Sequence, residues 1–188
     1  LAGADHNPAA YRVNQRRHKV ITMTGLKLLV EGRPGVGKTT LVKRVVASLQ
    51  QAGLGVCGFT TGEIRIAGRR VGFEVEPIGG RTGVLAHVDL PGPPRVGRYG
   101  VDLAAFESAA LPSLQEPGDV VVIDELGKME VASTRFVDAV HDLLASDRSV
   151  LASVHVHRHR VTDRIKQDPD VEKLPIMVSN RDRLVEQI

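Results

Sequence analysis

A glycine-rich segment that ends in lysine and threonine carries the clearest chemical signal in this sequence. Residues 32–39 read GRPGVGKT and fit the pattern G-x-x-x-x-G-K-[ST]. Glycines let successive backbone N–H groups turn toward one anion, and a following helix adds its positive N-terminal end. Lys38 can reach the β- and γ-phosphates of a nucleotide, and Thr39 can offer a hydroxyl to Mg²⁺. The predicted phosphate-binding residues are Gly32, Arg33, Pro34, Gly35, Val36, Gly37, Lys38, Thr39 and Thr40.

Two adjacent acids, Asp124 and Glu125, follow an apolar run about 85 residues after the phosphate loop. A carboxylate at the end of such a strand can hold Mg²⁺, usually through a coordinated water, so Asp124 and Thr39 are the predicted metal residues. Glu125 can orient the water that attacks the terminal phosphate, or take a proton from it. The alternative is that both acids simply end a strand in solvent.

Lys128 comes shortly after the acidic pair and could place a cation near the charge that develops on the γ-phosphate. It could equally be an ordinary solvated lysine. The predicted catalytic residues are therefore Lys38, Glu125 and Lys128.

Three histidines, His155, His157 and His159, alternate along the chain. On a strand they would share one face, so a zinc site is one hypothesis, although the single cysteine, Cys57, is distant in sequence. In a second interpretation, His155 lies at the carboxyl end of its strand and senses the γ-phosphate, because ligands bind at that edge of α/β sheets.

Alternating strand and helix patterns must position these residues. The periodicity predicts strands at 27–31, 56–61, 119–124, 149–154 and 173–178, with helices beginning near residues 38, 102, 133, 160 and 179. Asp102 and Ser133 are predicted N-caps, and Pro112 is expected to kink or end its helix. Between residues 63 and 88 the period falls toward two, which predicts an inserted antiparallel hairpin. The fold class is α/β, with a mostly parallel sheet flanked by helices.

Composition is consistent with one cytoplasmic α/β domain. The chain has 188 residues, of which 42% are hydrophobic but only 3% aromatic, so aliphatic side chains must build the core. No apolar run reaches the roughly 18 residues of a membrane-spanning helix, so we expect no membrane partner. A single cysteine cannot form an internal disulfide, which favours a reducing compartment.

The net charge of +3 is concentrated in residues 1–22, and the remaining residues carry equal numbers of basic and acidic groups. We expect residues 1–22 to be a disordered basic extension and residues 23–188 to form a single domain that acts as a monomer. The alternative is that residues 1–22 form an arm that binds nucleic acid or acidic lipid. The neutral remainder argues against a nucleic-acid-binding surface on the domain itself.

Several stretches, in this order, resemble the small broad-specificity P-loop nucleoside-triphosphatases first known from thermophiles. They are GRPGVGKTT at 32–40, GFTTGEIR at 58–65, GRRVGF at 68–73, VGRY at 96–99, VD at 101–102, VIDELGKME at 122–130 and NR at 180–181. The phosphate loop is shared with a very large superfamily, whereas DELGKME and GRRVGF are far more specific. The resemblance runs from about residue 27 to the end of the chain. Residues 1–22 have no counterpart, and Leu126 replaces an expected isoleucine of similar volume.

The resemblance implies a RecA-like sheet and slow hydrolysis of ATP, GTP, CTP and UTP to the diphosphate with Mg²⁺. It also implies a second nucleotide-contacting segment, formed by Val120, Val121, Val122, Ile123, Asp124, Glu125, Leu126 and Gly127.

Two alternatives remain open. A nucleotide or small-molecule kinase would need an acceptor site, and Arg65, Arg69 and Arg70 of the hairpin could form its lid. A nucleotide-dependent switch could bind nucleic acid through residues 1–22, with the marked salt dependence of such binding.

Overall fold

Nine strands and five helices form across residues 25–188, the part of the chain that the computed structural model describes. A short 3₁₀ helix also spans Glu130–Ala132. The strands are β1 (Lys27–Gly32), β2 (Val56–Ile66), β3 (Arg69–Pro77), β4 (Gly83–His87), β5 (Arg95–Val96), β6 (Tyr99–Val101), β7 (Val120–Leu126), β8 (Ser149–His155) and β9 (Glu172–Pro175). The helices are α1 (Lys38–Gln51), α2 (Leu103–Gln115), α3 (Thr134–Ala145), α4 (Arg160–Gln167) and α5 (Arg181–Gln187).

Five parallel strands form one half of the sheet, in the order β9-β1-β8-β7-β2. Every residue of β8 and six of the seven residues of β7 are buried, as expected for strands covered by helices on both faces. The predicted parallel core is therefore confirmed. Strand β8 lies between β1 and β7, so the phosphate loop and the acidic pair leave the same sheet edge two strands apart, roughly 10 Å.

Side-chain alternation along β7 and β8 decides which helices each residue faces. Val122 and Leu151 belong to the apolar cluster that α1 covers, whereas Ile123 belongs to the cluster on the opposite face. Because successive strand residues point to opposite faces, Asp124 and Ser153 fall on the α1 side. The period of the sheet thus directs the predicted metal acid toward the helix that follows the phosphate loop.

Aromatic side chains close the opposite face of the sheet. Phe59, Phe106 and Phe136 are fully buried, and their ring centroids are 5.1 to 5.8 Å apart. Two of the three pairs are edge-to-face, a favourable arrangement for aromatic rings. This cluster joins α2 and α3 to β2 and so stabilises the face away from the phosphate loop.

The predicted hairpin is part of a larger antiparallel half, in the order β2-β3-β4-β6-β5. Strand β2 changes partner along its length, because residues 56–59 pair with β7 and residues 59–66 pair with β3. Arg65 and Arg70, two arginines of the hypothetical kinase lid, form hydrogen-bonded ion pairs with Glu63 at 2.8 and 2.7 Å. The hairpin therefore extends the central sheet as two of its strands.

The two predicted N-caps are present. Oδ1 of Asp102 accepts a hydrogen bond from the Ala105 amide at 2.9 Å, and Oγ of Ser133 accepts one from the Phe136 amide at 3.0 Å. Pro112, however, lies inside α2, which continues to Gln115. The expected helix end is absent there because buried side chains on both sides of Pro112 anchor the helix, and tertiary packing outweighs local propensity.

Some predictions concern the ends of the chain. The last strand is shorter than predicted, ending at Pro175, and the last helix begins at Arg181. The two hypotheses about residues 1–22 fall outside the described residues. Within residues 25–188, none of the helices combines the length and the hydrophobicity that a membrane crossing requires.

Candidate active site

The phosphate loop joins the end of β1 to the start of α1. Gly37 has a φ of 106° and is the N-cap of α1, in a left-handed conformation that side chains strongly disfavour. A Cβ on Gly32 would stand 2.5 Å from Cγ2 of Ile176, so close packing also requires glycine at that position. The first turn of α1 contains Lys38 and no acid, which suits the binding of an anion there.

Lys38 folds back over the loop from the first turn of α1. Its side chain is only 5% exposed, and Nζ donates to the carbonyl of Gly32 at 3.3 Å. The same Nζ lies 3.1 Å from Oε2 of Glu125. The structure therefore brings together a lysine and an acid that are 87 positions apart in the sequence.

Asp124 is completely buried at the end of β7. Its Oδ1 accepts a hydrogen bond from the Ser153 hydroxyl, whereas Oδ2 has no hydrogen-bond partner within residues 25–188. Burial raises the pKa of Asp124, opposed by the Ser153 hydrogen bond and the nearby Thr39 hydroxyl, while the charge of Glu125 adds to the rise and that of Lys38 opposes it. An unpartnered carboxylate oxygen beside a threonine hydroxyl fits a hard divalent cation such as Mg²⁺.

Glu125 lies where the pairing of β7 with β8 shifts register, between Ile123 and Leu126. Its side chain is 28% exposed, which leaves it reachable by water while it contacts Lys38. A Cβ on Gly127 would stand 3.3 Å from Oε1 of Glu125. Glu125 therefore lies at the mouth of the loop, which suits a group that must meet a water molecule.

Glu130 is a third acid at this site and was not among the predicted site residues. It is buried in the 3₁₀ helix after β7, and a Cβ on Gly127 would stand 2.5 Å from its Oε2. Burial raises the pKa of Glu130 to about 8; the charges of Glu125 and Asp124 add to the rise, and backbone hydrogen bonds oppose it. The 122–130 stretch contains Glu130, but nothing in its local pattern indicates that the chain folds back to bury it.

The other predicted residues occupy several environments. Lys128 is exposed, and within residues 25–188 its side chain forms no hydrogen bond or ion pair. Arg33, Pro34 and Gly35 form the exposed outer part of the loop, and Thr40 is exposed on α1. The first part of β7 lies in the hydrophobic core and supports Asp124; its residues are Val120, Val121, Val122 and Ile123.

His155 is buried at the end of β8 and pairs in register with Gly32, the first residue of the phosphate loop. Neither ring nitrogen has a hydrogen-bond partner among the described residues. Burial lowers the pKa of His155; Glu125 opposes this change, and Lys166 and His157 add to it. The buried, neutral ring next to the loop is compatible with the phosphate-sensing hypothesis.

The alternation of the three histidines does not continue as a strand. Strand β8 ends at His155, and His157 is exposed in the following turn while His159 precedes α4. Across residues 25–188 there is no group of three or more His, Cys, Asp or Glu residues that could hold a metal ion. The structure therefore gives no support to the zinc hypothesis.

Comparison with known proteins agrees with this arrangement. The chain is 39% identical to nucleoside-triphosphatase THEP1 of Thermotoga petrophila, covering 87% of this chain and 90% of that protein. It is 38% identical to the cancer-related nucleoside-triphosphatase of Homo sapiens, covering 86% and 93%. The crystal structure of THEP1 from Aquifex aeolicus matches with a TM-score of 0.77 at 30% identity, covering 86% of this chain and 96% of that one.

The profile of a protein family described as NTPase matches residues 27–188, which include every strand and helix of the fold. With the phosphate loop, the acidic pair and these relatives all in agreement, the chain belongs to the NTPase family.

Proposed function

We propose that this protein hydrolyses nucleoside triphosphates, including ATP, GTP, CTP and UTP, to the diphosphate and inorganic phosphate with Mg²⁺. The observation that carries the proposal is the 3.1 Å contact between Nζ of Lys38 and Oε2 of Glu125. This contact brings a phosphate-binding cation together with a carboxylate that water can reach. The names of the relatives support the same activity.

Binding begins with the polyphosphate in the loop between β1 and α1. Backbone N–H groups and the positive end of α1 attract its oxygens, and the Lys38 ammonium contacts the β- and γ-phosphates. These anionic oxygens compete with Glu125 for Lys38. Substrate binding thereby releases Glu125 from its ion pair and leaves it available to water.

Thr39 and Asp124 are the residues that would hold Mg²⁺. When bound, the ion neutralises charge on the phosphate oxygens, which phosphoryl transfer requires. Ser153 keeps the Asp124 carboxylate in place through its hydrogen bond to Oδ1. The buried Oδ2 has no hydrogen-bond partner among residues 25–188 and would be the oxygen available to hold the ion.

Glu125 orients the attacking water and accepts its proton as the water oxygen bonds to the γ-phosphorus. The bond from the γ-phosphorus to the bridging oxygen breaks, and the nucleoside diphosphate leaves. Lys38 and Lys128 offset the charge that builds during this step. Lys128 follows soon after Glu125 in the sequence, and its exposed side chain can move toward the γ-phosphate.

The test is release of inorganic phosphate from ATP, GTP, CTP and UTP, with and without Mg²⁺ and with no added acceptor. Hydrolysis predicts one phosphate and one diphosphate per triphosphate, and loss of turnover when Mg²⁺ is removed. A nucleotide or small-molecule kinase would form the diphosphate only when an acceptor is added and would release no inorganic phosphate, which would contradict the proposal. The ion pairs of Arg65 and Arg70 with Glu63 do not favour a lid role for these arginines.

We also propose that the enzyme acts as a cytoplasmic monomer, because a single chain contributes every residue assigned to the reaction and nucleoside triphosphates are abundant in that compartment. The one cysteine, Cys57, is free and buried, which agrees with a reducing environment. Light scattering of the purified protein tests the monomer, and cell fractionation tests the location.

A further inference from the structure

A cavity of about 160 Å³ lies next to the phosphate loop and plays no part in the reaction described above. It opens between α1 and α5, and its lining residues are Gly37, Thr40, Leu41, Arg44, Arg181 and Asp182. Pockets that enclose a whole drug-sized ligand are usually roughly 300 Å³ or larger. This cavity therefore suits one part of a nucleotide, with the rest held outside it.

Sheet topology indicates which part of the nucleotide that is. Strand β1 lies between β8 and β9, and the acidic pair is on the far side of β8. The γ-phosphate must lie on that side of the loop, near Lys38 and Glu125. The α-phosphate and the nucleoside then extend away from β8, toward β9 and α5, which is where the cavity lies.

The guanidinium of Arg181 is a planar cation that lines this cavity. A Cβ placed on Gly37 would stand 3.5 Å from Nη1 of Arg181, so the guanidinium lies against the phosphate loop. Among residues 25–188, Arg181 forms no ion pair with a carboxylate. The neighbouring Asp182 pairs with Arg44 instead, at 2.8 Å. A guanidinium plane stacks well on aromatic rings, and every base has such a face.

The backbone around Arg181 is held by side chains on both sides. Oδ1 of Asn180 accepts a hydrogen bond from the Met177 amide at 2.8 Å, and its Nδ2 donates to the Pro175 carbonyl at 3.0 Å. The ion pair between Arg44 and Asp182 joins α1 to α5 on the other side. Arg181 thus projects from a braced segment, which lowers the entropic cost of presenting its side chain to a ligand.

We propose that the cavity between α1 and α5 receives the nucleoside of the bound nucleotide, with the Arg181 guanidinium stacked on the base. The proposal rests on the proposed function, since it assumes that the loop holds a nucleotide polyphosphate. Stacking uses the face of the base and ignores the donor and acceptor pattern on its edge. Arg181 therefore contributes similar affinity for all four bases and little discrimination among them.

The experiment measures equilibrium binding of ADP, GDP, CDP, UDP and inorganic pyrophosphate by calorimetry. Pyrophosphate presents phosphates without a base. Arg181→Ala should raise Kd about tenfold for all four nucleotides and leave Kd for pyrophosphate unchanged. Arg181→Lys keeps the charge but lacks the plane, so it should lose most of the same affinity. Arg183→Ala, at an exposed arginine of the same helix, is the matched control and should bind all five probes normally.

Three results for Arg181→Ala would overturn the base-stacking proposal: unchanged affinity for the nucleotides, an equal loss for pyrophosphate, or a loss confined to one base. Full affinity in Arg181→Lys would also overturn it, because charge alone would then suffice. Phosphate release by the wild-type protein is measured separately. A wild type that binds the diphosphates but releases no phosphate from triphosphates contradicts only the hydrolysis, and a wild type that binds none of the probes contradicts both.

Discussion

The Ser153 hydroxyl donates a hydrogen bond to Oδ1 of Asp124, and both side chains are completely buried at the ends of neighbouring parallel strands. This contact determines which oxygen of Asp124 is available. Oδ1 is occupied, whereas Oδ2 has no partner among the described residues. Ser153 thus holds in place the carboxylate of Asp124, the proposed metal ligand.

Removing that support should weaken Mg²⁺ binding. In Ser153→Ala, Oδ1 loses its donor and the pKa of Asp124 rises further, because the hydrogen bond from Ser153 opposes the effect of burial. We expect the Mg²⁺ concentration for half-maximal turnover to rise about tenfold, the scale of lost support around metal ligands. A titration of phosphate release against Mg²⁺ measures it. Ser108→Ala, at an exposed serine of α2, is the control, and an unchanged Mg²⁺ requirement in Ser153→Ala would contradict the role.

Lys38→Ala should impair both binding and turnover. The variant removes the buried ammonium that reaches the polyphosphate, and loss of such a charge-stabilising donor lowers kcat by about 10²–10³-fold. Steady-state kinetics with ATP measure the change. Lys43→Ala, on the exposed side of the same helix, removes a lysine that pairs with Glu76 and should behave as the wild type. Near-normal kcat and KM in Lys38→Ala would remove Lys38 from the mechanism.

Glu125→Gln should separate binding from chemistry. Glutamine retains the shape of the side chain but cannot accept the proton of the attacking water, so we expect kcat to fall about 10²-fold or more. Nucleotide affinity should be at least that of the wild type, because the loop and Lys38 are intact and the carboxylate that competes for Lys38 is gone. Single-turnover hydrolysis and equilibrium binding of ATP give the two quantities. Glu172→Gln, an exposed acid of β9, is the control, and normal single-turnover rates in Glu125→Gln would exclude a general base at this position.

Glu130 should make the folded protein less stable as pH rises. Its pKa is about 8 when folded and 4.5 as the ordinary value, so the folded state binds more protons between these limits. The free energy of unfolding then decreases with rising pH through that window, by at most about 1.4 kcal/mol per pH unit from this group. Urea unfolding of the metal-free protein at pH 5, 6, 7 and 8 measures the slope. Glu130→Gln, which is always neutral, should flatten it, and parallel profiles for the two proteins would contradict the assignment.

His155 should distinguish triphosphates from diphosphates. Its buried ring lies beside Gly32 with both nitrogens unpartnered among residues 25–188. If the ring contacts the γ-phosphate, His155→Ala should weaken ATP binding about tenfold and leave ADP binding unchanged. Calorimetry in the Glu125→Gln background, where ATP is hydrolysed slowly, gives the dissociation constants for ATP and ADP. His141→Ala, at an exposed histidine of α3, is the control, and equal losses for ATP and ADP would refute the hypothesis.

Sequence reasoning was most accurate for features encoded within a few consecutive residues. Helix α1 begins at Lys38 as predicted, because the glycine-rich turn before it defines its start locally. The caps at Asp102 and Ser133 are equally local, since each needs only its own side chain and an amide three residues later. The exchange of partners along β2 was not predictable, because it depends on which distant strand lies beside each segment.

The sequence by itself determined the phosphate loop, the apolar strand that ends in the acidic pair, and hence the family. These features depend on backbone conformation and on the spacing of neighbouring residues, which consecutive positions encode directly. Only the tertiary structure revealed that Ser153 supports Asp124, that Glu130 is buried near the acidic pair, and that Arg181 lies against Gly37. Each of these contacts joins segments that the order of the strands and the reversals of the chain bring together. The free energy of the whole fold therefore decides whether each contact forms.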